Sequence, residues 1–312
     1  MTTPIILDTD MDTDCDDAAA VGLLHALADL GEAEILAILV SSVFPGSVAC
    51  VRAINRWYGR PDLPVGVVKG GAASIHRGSR YAREIAEEFG LVGCEADTPD
   101  AVDVCRRILA DAADASVVFV TIGYQTNLSN LLRSGPDEHS DLPGRELVER
   151  KVRTYVCMGS VYPADHDPRE WGNFKPDPAA TCHVVAEWPT PITFTGGGPF
   201  ARLLPTGRRL FTDVPAGSPV RWIYELFHRD GPTDHHSADQ IAVMVAVRGP
   251  GPPWRAVTRG HNHIFENGTH EWRDEPDDPR QQYVAHLAEG VSPADVAAEI
   301  EELMVRPPAR ST

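Results

Sequence analysis

The sequence is short of basic residues and has no long apolar run. Its 28 lysines and arginines stand against 45 aspartates and glutamates, which gives a formal net charge of -17. That charge repels a polyanion, so it disfavours binding to DNA or RNA. No apolar stretch reaches the roughly 18 residues that a membrane span needs, and the N-terminus shows no signal peptide. We therefore expect a cytoplasmic protein with no membrane partner.

The cysteines also lack the spacing of a cross-linked or zinc-binding protein. None of the six belongs to a C-x-x-C pair; they are Cys15, Cys50, Cys94, Cys105, Cys157 and Cys182. A chain of 312 residues with 43% hydrophobic composition is long enough to bury a sizeable core without disulfides. With no internal repeat and no low-complexity linker, it predicts one domain over 1–312.

Apolar runs alternate with amphipathic stretches along the first two thirds of the chain. Strands are predicted at 4–7, 33–40, 63–68, 116–123, 151–159 and 190–197, and helices at 16–29, 48–59, 98–112 and 177–188. This alternation predicts an α/β fold with a mostly parallel central sheet and helices on both faces, as in Rossmann-like open sheets. Further helices are expected at 240–247 and 292–305. Residues 250–312 are expected to form a β-hairpin and helix extension of the same domain.

An acidic segment stands between the first strand and the first helix. Six aspartates fall within residues 8–17: Asp8, Asp10, Asp12, Asp14, Asp16 and Asp17. Carboxylates packed this closely repel one another, and a hard divalent cation removes that cost by taking their oxygens as ligands. Ligands of open α/β sheets bind outside the carboxyl ends of the strands, where this segment is predicted to lie. It therefore predicts a metal site.

Two known metal-binding patterns match this segment only in part. An EF-hand loop starting at Asp10 needs Gly and Glu where Cys15 and Val21 stand, so that pattern fails. A Mg²⁺ phosphatase of the haloacid-dehalogenase type has Asp-x-Asp-x-Thr/Val and a late Gly-Asp pair. Here Asp12 or Asp14 occupies the fifth place and no Gly-Asp dipeptide occurs. The phosphatase remains an alternative.

A third pattern matches better. The segment ILDTDMDTDCDDAAAV resembles the start of the nucleoside hydrolases of the inosine-uridine preferring type, apart from Asp12 in place of a Gly. The resemblance continues in order through LPVGVVKGGA at 63–72, VTIGYQTNLSNLL at 120–132, EWGNF at 170–174 and SADQIAV at 237–243. It implies Ca²⁺-dependent hydrolysis of the N-glycosidic bond of a ribonucleoside or related ribosyl compound.

The resemblance also implies roles for individual residues. The Ca²⁺ ligands would be Asp10, Asp17, the carbonyl oxygen of Ile122 and Asp239, with Asp10 also acting as general base. Three further residues would hold the ribose hydroxyls: Asp16, Glu170 and Asn173. Members of the family tend to form homodimers or homotetramers, which we expect here too.

Three departures from the family pattern concern the substrate. Ala238 stands where the family usually has His before the late Asp, so His236, with His235 beside it, is the candidate acid for the leaving base. Residues 41–47 lack the Asn that follows the second strand, and Gly172 is an extra residue before Asn173. An inactive family member that only binds a ribosyl ligand is therefore a further alternative.

Overall fold

The protein is built around an eight-stranded sheet. The computed structural model describes residues 2–70 and 79–309. Its strands are β1 Thr3–Thr9, β2 Ala33–Val40, β3 Val65–Val67, β4 Val117–Thr121, β5 Val152–Ser160, β6 Ala164–Asp165, β7 Ile192–Gly196, β8 Trp254–Val257, β9 His261–Ile264, β10 His270–Arg273 and β11 Gln281–Leu287. The order in the large sheet is β3-β2-β1-β4-β5-β7-β11-β8, and a small antiparallel sheet has the order β6-β10-β9.

All neighbours in the large sheet are parallel except β8 and β11. This confirms the predicted mostly parallel sheet. β1 lies in the middle of it, flanked by β2 and β4, so its carboxyl end is surrounded by the loops that follow neighbouring strands. Side chains at the ends of β1, β4 and β5 are thereby brought to one edge, although they are far apart in the chain.

Helices surround the sheet in two groups. They are α1 Asp16–Asp29, α2 Ser47–Trp57, α3 Ala82–Glu88, α4 Ala101–Asp111, α5 Thr126–Arg133, α6 Gly144–Lys151, α7 Pro178–Glu187, α8 Gly198–Ala201, α9 Leu210–Asp213, α10 Pro219–Phe227, α11 Ala238–Arg248 and α12 Pro293–Met304. α1 packs on α11 and α12, and α4 to α7 pack on one another. Among the described residues, no helix is both long and apolar enough to cross a bilayer.

Most predicted elements are present, with small shifts at their ends. α1 and β2 have the predicted bounds, and the hairpin turn at Asn267-Gly268 joins β9 to β10. The sequence interpretation missed β11, which pairs with β7 and extends the central sheet, so residues 250–312 supply two strands of that sheet as well as a hairpin and a helix. Residues 71 and 72 of the segment 63–72, which resembles the family, lie outside the described part.

Gly159 marks a close approach between β5 and the segment after it. A Cβ atom on Gly159 would lie 2.0 Å from the ring of Phe174, which is fully buried. The carbonyl oxygen of Gly159 also accepts a hydrogen bond from the backbone N–H of Asn173 at 2.7 Å. Only glycine at this position lets the segment pack on the strand.

We expect Gly159→Ala to lower the free energy of unfolding by about 1–3 kcal/mol, because the added methyl group overpacks the core. Gly135→Ala is the control, since no atom lies within 4 Å of the corresponding Cβ position. Urea unfolding of both variants checks the prediction. Equal midpoints for the two variants would contradict it.

Candidate active site

The acidic segment lies at the carboxyl end of β1 and is largely buried. Asp8, Asp10, Asp12, Asp16 and Asp17 are each at most 2% exposed. Six aspartates so close together cannot all bind one ion. Asp8 and Asp12 accept hydrogen bonds from residues far along the chain, whereas Asp16 and Asp17 lie beside Asp239. Asp14 is the most exposed of them, with a side chain 30% accessible.

Asp8 and Asp12 are held by groups of the protein. Asn127 Nδ2 donates to Asp8 Oδ2 at 2.7 Å. Burial raises the pKa of Asp8 to about 7, although hydrogen bonds from Ser41 and Asn127 oppose the shift. Asp12 Oδ1 accepts from the backbone N–H groups of Arg80, Tyr81 and Ala82 at 3.0, 2.9 and 3.1 Å, so it caps the start of α3.

Asp12 has a second structural role. Its φ of 85° lies in the left-handed region, where glycine is favoured. This explains why the related motif has Gly at this place. Here Asp supplies the same backbone conformation and also a cap for a helix 70 residues further on. The backbone N–H of Asp12 donates to the Tyr81 hydroxyl at 2.7 Å, which in turn donates to the Asp14 carbonyl oxygen at 2.6 Å.

The other carboxylates converge. One carboxylate oxygen from each of Asp16, Asp17 and Asp239 lies within 4.8 Å of the other two. Asp239 comes from the first turn of α11 and is 4% exposed. Burial, followed by repulsion from the neighbouring carboxylates, raises the pKa of Asp17 and of Asp239 well above the usual value. Thr9 Oγ1 donates to Asp17 Oδ1 and orients that carboxylate.

Asp10 belongs to the same group. Burial raises its pKa to about 8, with repulsion from Asp16 and Asp8 adding to the shift and a hydrogen bond from Thr13 opposing it. Among the described residues, Asp10 Oδ2 is buried without a hydrogen-bond partner, as are Asp8 Oδ1 and Asp12 Oδ2, but Asp10 is the one of the three that repels Asp17 and Asp239. A buried carboxylate oxygen without a donor, beside three more carboxylates, fits a hard divalent cation, which prefers oxygen ligands.

The other predicted site residues differ in how deeply they are buried. Ile122 is buried, and its carbonyl oxygen accepts from Asn173 Nδ2 at 2.8 Å. Asn173 is also buried, whereas Glu170 is exposed on the wall of a cleft of about 670 Å³. The extra residue Gly172 therefore leaves Asn173 at the site and places Glu170 on its outer wall.

His236 lines the same cleft above the carboxylates. Its Nε2 atom lies 3.3 Å from Asp16 Oδ2 and 3.9 Å from Asp14 Oδ2. Burial lowers its pKa, but the two carboxylates outweigh burial and raise the pKa to about 9. Ala238 is fully buried at the start of α11 and does not reach the cleft.

Sequence reasoning missed the residues that support the acidic segment. Ser42 Oγ and Ser47 Oγ both donate to the Met11 carbonyl oxygen, at 3.1 and 2.8 Å. They belong to 41–47, the segment that lacks the related Asn, and they fix the backbone of the acidic loop instead. Tyr81, the residue before α3, also fixes this backbone through its hydrogen bonds with Asp12 and Asp14. Nothing in the local sequence signals these contacts, because their partners are 30 to 70 residues away.

A family model for the inosine-uridine preferring nucleoside hydrolases matches residues 5–287. The chain belongs to this family. Membership assigns it N-ribosyl hydrolase activity and decides against the phosphatase alternative. The pyrimidine-specific ribonucleoside hydrolase RihA of Klebsiella pneumoniae is 27% identical over 250 residues, covering 74% of each chain.

Solved structures show the same fold. An inosine-guanosine nucleoside hydrolase superimposes with a TM-score of 0.72 at 16% identity, covering 97% of this chain and 98% of the other. A plant nucleoside hydrolase gives 0.73 at 15% identity, with 98% and 100% covered. The type III effector XopQ, solved with adenosine diphosphate ribose, gives 0.67 at 16% identity, with 99% and 94% covered.

The role of Asp12 can be tested by comparing Asp12→Gly with Asp12→Ala. Both remove the helix cap, but only alanine is strained at a positive φ. We expect Asp12→Gly to be more stable by about 1 kcal/mol. Asp12→Asn is the control, because Asn tolerates this backbone and keeps an acceptor oxygen. Equal stability of the Gly and Ala variants in urea unfolding would count against the strained backbone.

Proposed function

We propose that this nucleoside hydrolase is Ca²⁺-dependent and cleaves the N-glycosidic bond of a ribonucleoside or related ribosyl compound. The observation that carries the proposal is the convergence of Asp16, Asp17 and Asp239 beside the unpartnered Oδ2 of Asp10. Asp10, Asp17, Asp239 and the Ile122 carbonyl oxygen would hold the ion. Oxygen donors of this kind suit Ca²⁺, which takes six to eight of them.

The ribose would lie over the carboxylate group. Asp16 and Asn173 are buried, whereas Glu170 and His236, which lies beside Asp16, line the cleft. Hydrogen bonds to the ribose hydroxyls fix the sugar, and the anionic groups stabilise the positive charge that develops on it as the bond to the base breaks. When bound, the metal supplies a water of lowered pKa. Asp10 would act as the general base for the attacking water.

His236 is the proposed acid for the leaving base. It is a half-buried imidazole whose Nε2 atom faces the cleft beside Asp16. A protonated imidazole in this place donates a proton to the departing base, which is a poor leaving group as an anion. The family places its acid directly before the late Asp; in this chain the loop before α11 supplies it instead.

Metal content and ribose release test the proposal together. We expect protein stripped with a chelator and supplied with Ca²⁺ to hold one ion per chain and to release ribose from at least one common nucleoside in a reducing-sugar assay. Asp17→Asn should lose both properties, because a buried ligand is removed. Asp12→Asn is the matched control and should keep both, since Asp12 Oδ1 is used by the cap of α3.

Two outcomes would contradict the proposal. If no divalent ion is retained when Ca²⁺ is added, the metal role is wrong. If a nucleoside binds and releases no ribose, the chain is a ribosyl-binding protein and not a hydrolase. Assembly into a homodimer or homotetramer and a cytoplasmic location stay predictions of the family resemblance.

The acid role of His236 has its own test. We expect His236→Gln to lower kcat on a nucleoside by about 10²- to 10⁴-fold, which is the usual contribution of a general acid. The same variant should hydrolyse p-nitrophenyl riboside at nearly the wild-type rate, because p-nitrophenolate leaves without a proton. His286→Gln, outside the cleft, should leave both rates unchanged. An equal loss on both substrates would assign His236 a different role.

A further inference from the structure

A second group of metal-binding side chains lies beside the carboxylates and takes no part in the proposed hydrolysis. Cys15 belongs to the acidic segment and directly precedes α1, His228 follows the last residue of α10, and His235 lies in the loop before α11. One ligand atom of each residue lies within 4.8 Å of the corresponding atoms of the other two. Cys15 lies 213 residues before His228 and His235 comes later still, so the sequence shows no metal-binding spacing.

The spacing suits a tetrahedral ion. Cys15 Sγ and His228 Nε2 are 3.6 Å apart. Bonds of about 2.3 Å to sulfur and about 2.0 Å to nitrogen, at a tetrahedral angle, separate two such ligands by about 3.5 Å. Cys15 and His228 are therefore at about the separation that Zn²⁺ would impose on them, and His235 lies within 4.8 Å of both.

Asp14 supports this arrangement from outside. Asp14 Oδ1 lies 2.8 Å from Nε2 of His235, which leaves Nδ1 of that ring available as a ligand. A metal-ligating histidine commonly donates its other N–H to a carboxylate, which fixes the ring and makes it more basic. The backbone of His235 is also fixed, by a pair of hydrogen bonds with Thr206 at 2.7 and 2.9 Å.

The ligand types decide which ion would bind. A thiolate and two imidazoles are soft or borderline donors, which select Zn²⁺ and similar transition metals over Ca²⁺. Cys15 is fully buried, whereas His228 is half-buried, so an ion has access from the histidine side. We propose that Cys15, His228 and His235 bind a thiophilic divalent ion such as Zn²⁺ at a site separate from the carboxylate group.

The position of this site links two parts of the proposed active site. Cys15 immediately precedes Asp16, and His235 immediately precedes His236. An ion held by Cys15 and His235 would tie the acidic loop to the loop that carries the proposed acid. The existence of the site does not depend on the proposed hydrolysis, so the two can fail separately.

Titration with Co²⁺ in place of Zn²⁺ tests the proposal by absorption. The full chain is stripped of metal, supplied with excess Ca²⁺ to fill the carboxylate site, and titrated with Co²⁺. We expect one equivalent to give the near-ultraviolet charge-transfer band of a cobalt–thiolate bond and the intense visible bands of tetrahedral Co²⁺. Cys15→Ser should lose the charge-transfer band, whereas Cys182→Ser, which removes a cysteine far from the site, should keep it.

Histidine variants keep the test decisive if Cys15→Ser fails to fold. We expect His228→Gln to weaken Co²⁺ binding at least about 100-fold. Loss of a residue that only hydrogen-bonds to a metal ligand lowers metal affinity about 10- to 100-fold, and His228 would bind the ion directly. Asp14→Asn should weaken it about 10- to 100-fold. His286→Gln is the matched control and should bind Co²⁺ as the wild type does.

Four results would overturn the proposal: no thiolate band, a band retained in folded Cys15→Ser, unchanged affinity in His228→Gln, or loss of the band in Asp239→Asn. The last result would place the ion in the carboxylate group. If Asp239→Asn has lost Ca²⁺ binding but still gives the cobalt–thiolate band, the result supports a separate site. That support holds whether or not the wild type hydrolyses nucleosides.

Discussion

The repulsion between buried carboxylates at the end of β1 is the constraint around which this edge of the molecule is organised. Five aspartates of one loop, and Asp239 from α11, are almost fully removed from water. Each such charge costs free energy unless a donor or a cation compensates it. The protein compensates Asp8 through Asn127 and Asp12 through the start of α3. Asp16, Asp17 and Asp239 converge instead, and in the proposed function a cation compensates their charges.

The central sheet positions these groups, and much of it could be predicted from the sequence. Apolar runs of strand length and helical periodicity are local signals, which is why α1 and β2 have the predicted bounds. β11 was not predicted, since it follows a Pro- and Asp-rich turn and pairs with β7 about 90 residues earlier in the chain. A strand whose partner is that remote has no local signal of its place in a sheet.

The candidate site, like the sheet, could be predicted from the sequence only in part. The carboxyl ends of parallel strands meet at one edge, so residues after β1 and β4 were expected to lie together, and the backbone N–H of Ile122 does donate to the Asp8 carbonyl oxygen at 2.8 Å. The cap formed by Asp12 could not be predicted, because its N–H partners begin 68 residues later. The same holds for Ser42, in the loop after β2, and Ser47, at the start of α2, which both donate to the Met11 carbonyl oxygen of the acidic segment.

Hydrogen bonds in the loop before α11 explain why the proposed acid is His236 and not the residue at position 238. Thr206 exchanges two backbone hydrogen bonds with His235, and Ser237 Oγ donates to the Leu204 carbonyl oxygen at 2.6 Å. These bonds turn Ala238 into the core and direct His235 and His236 towards Asp14 and Asp16. A histidine at 238 would have to occupy a fully buried position. In this chain the imidazole therefore reaches the cleft from the loop before the helix, and the proposed acid moves with it.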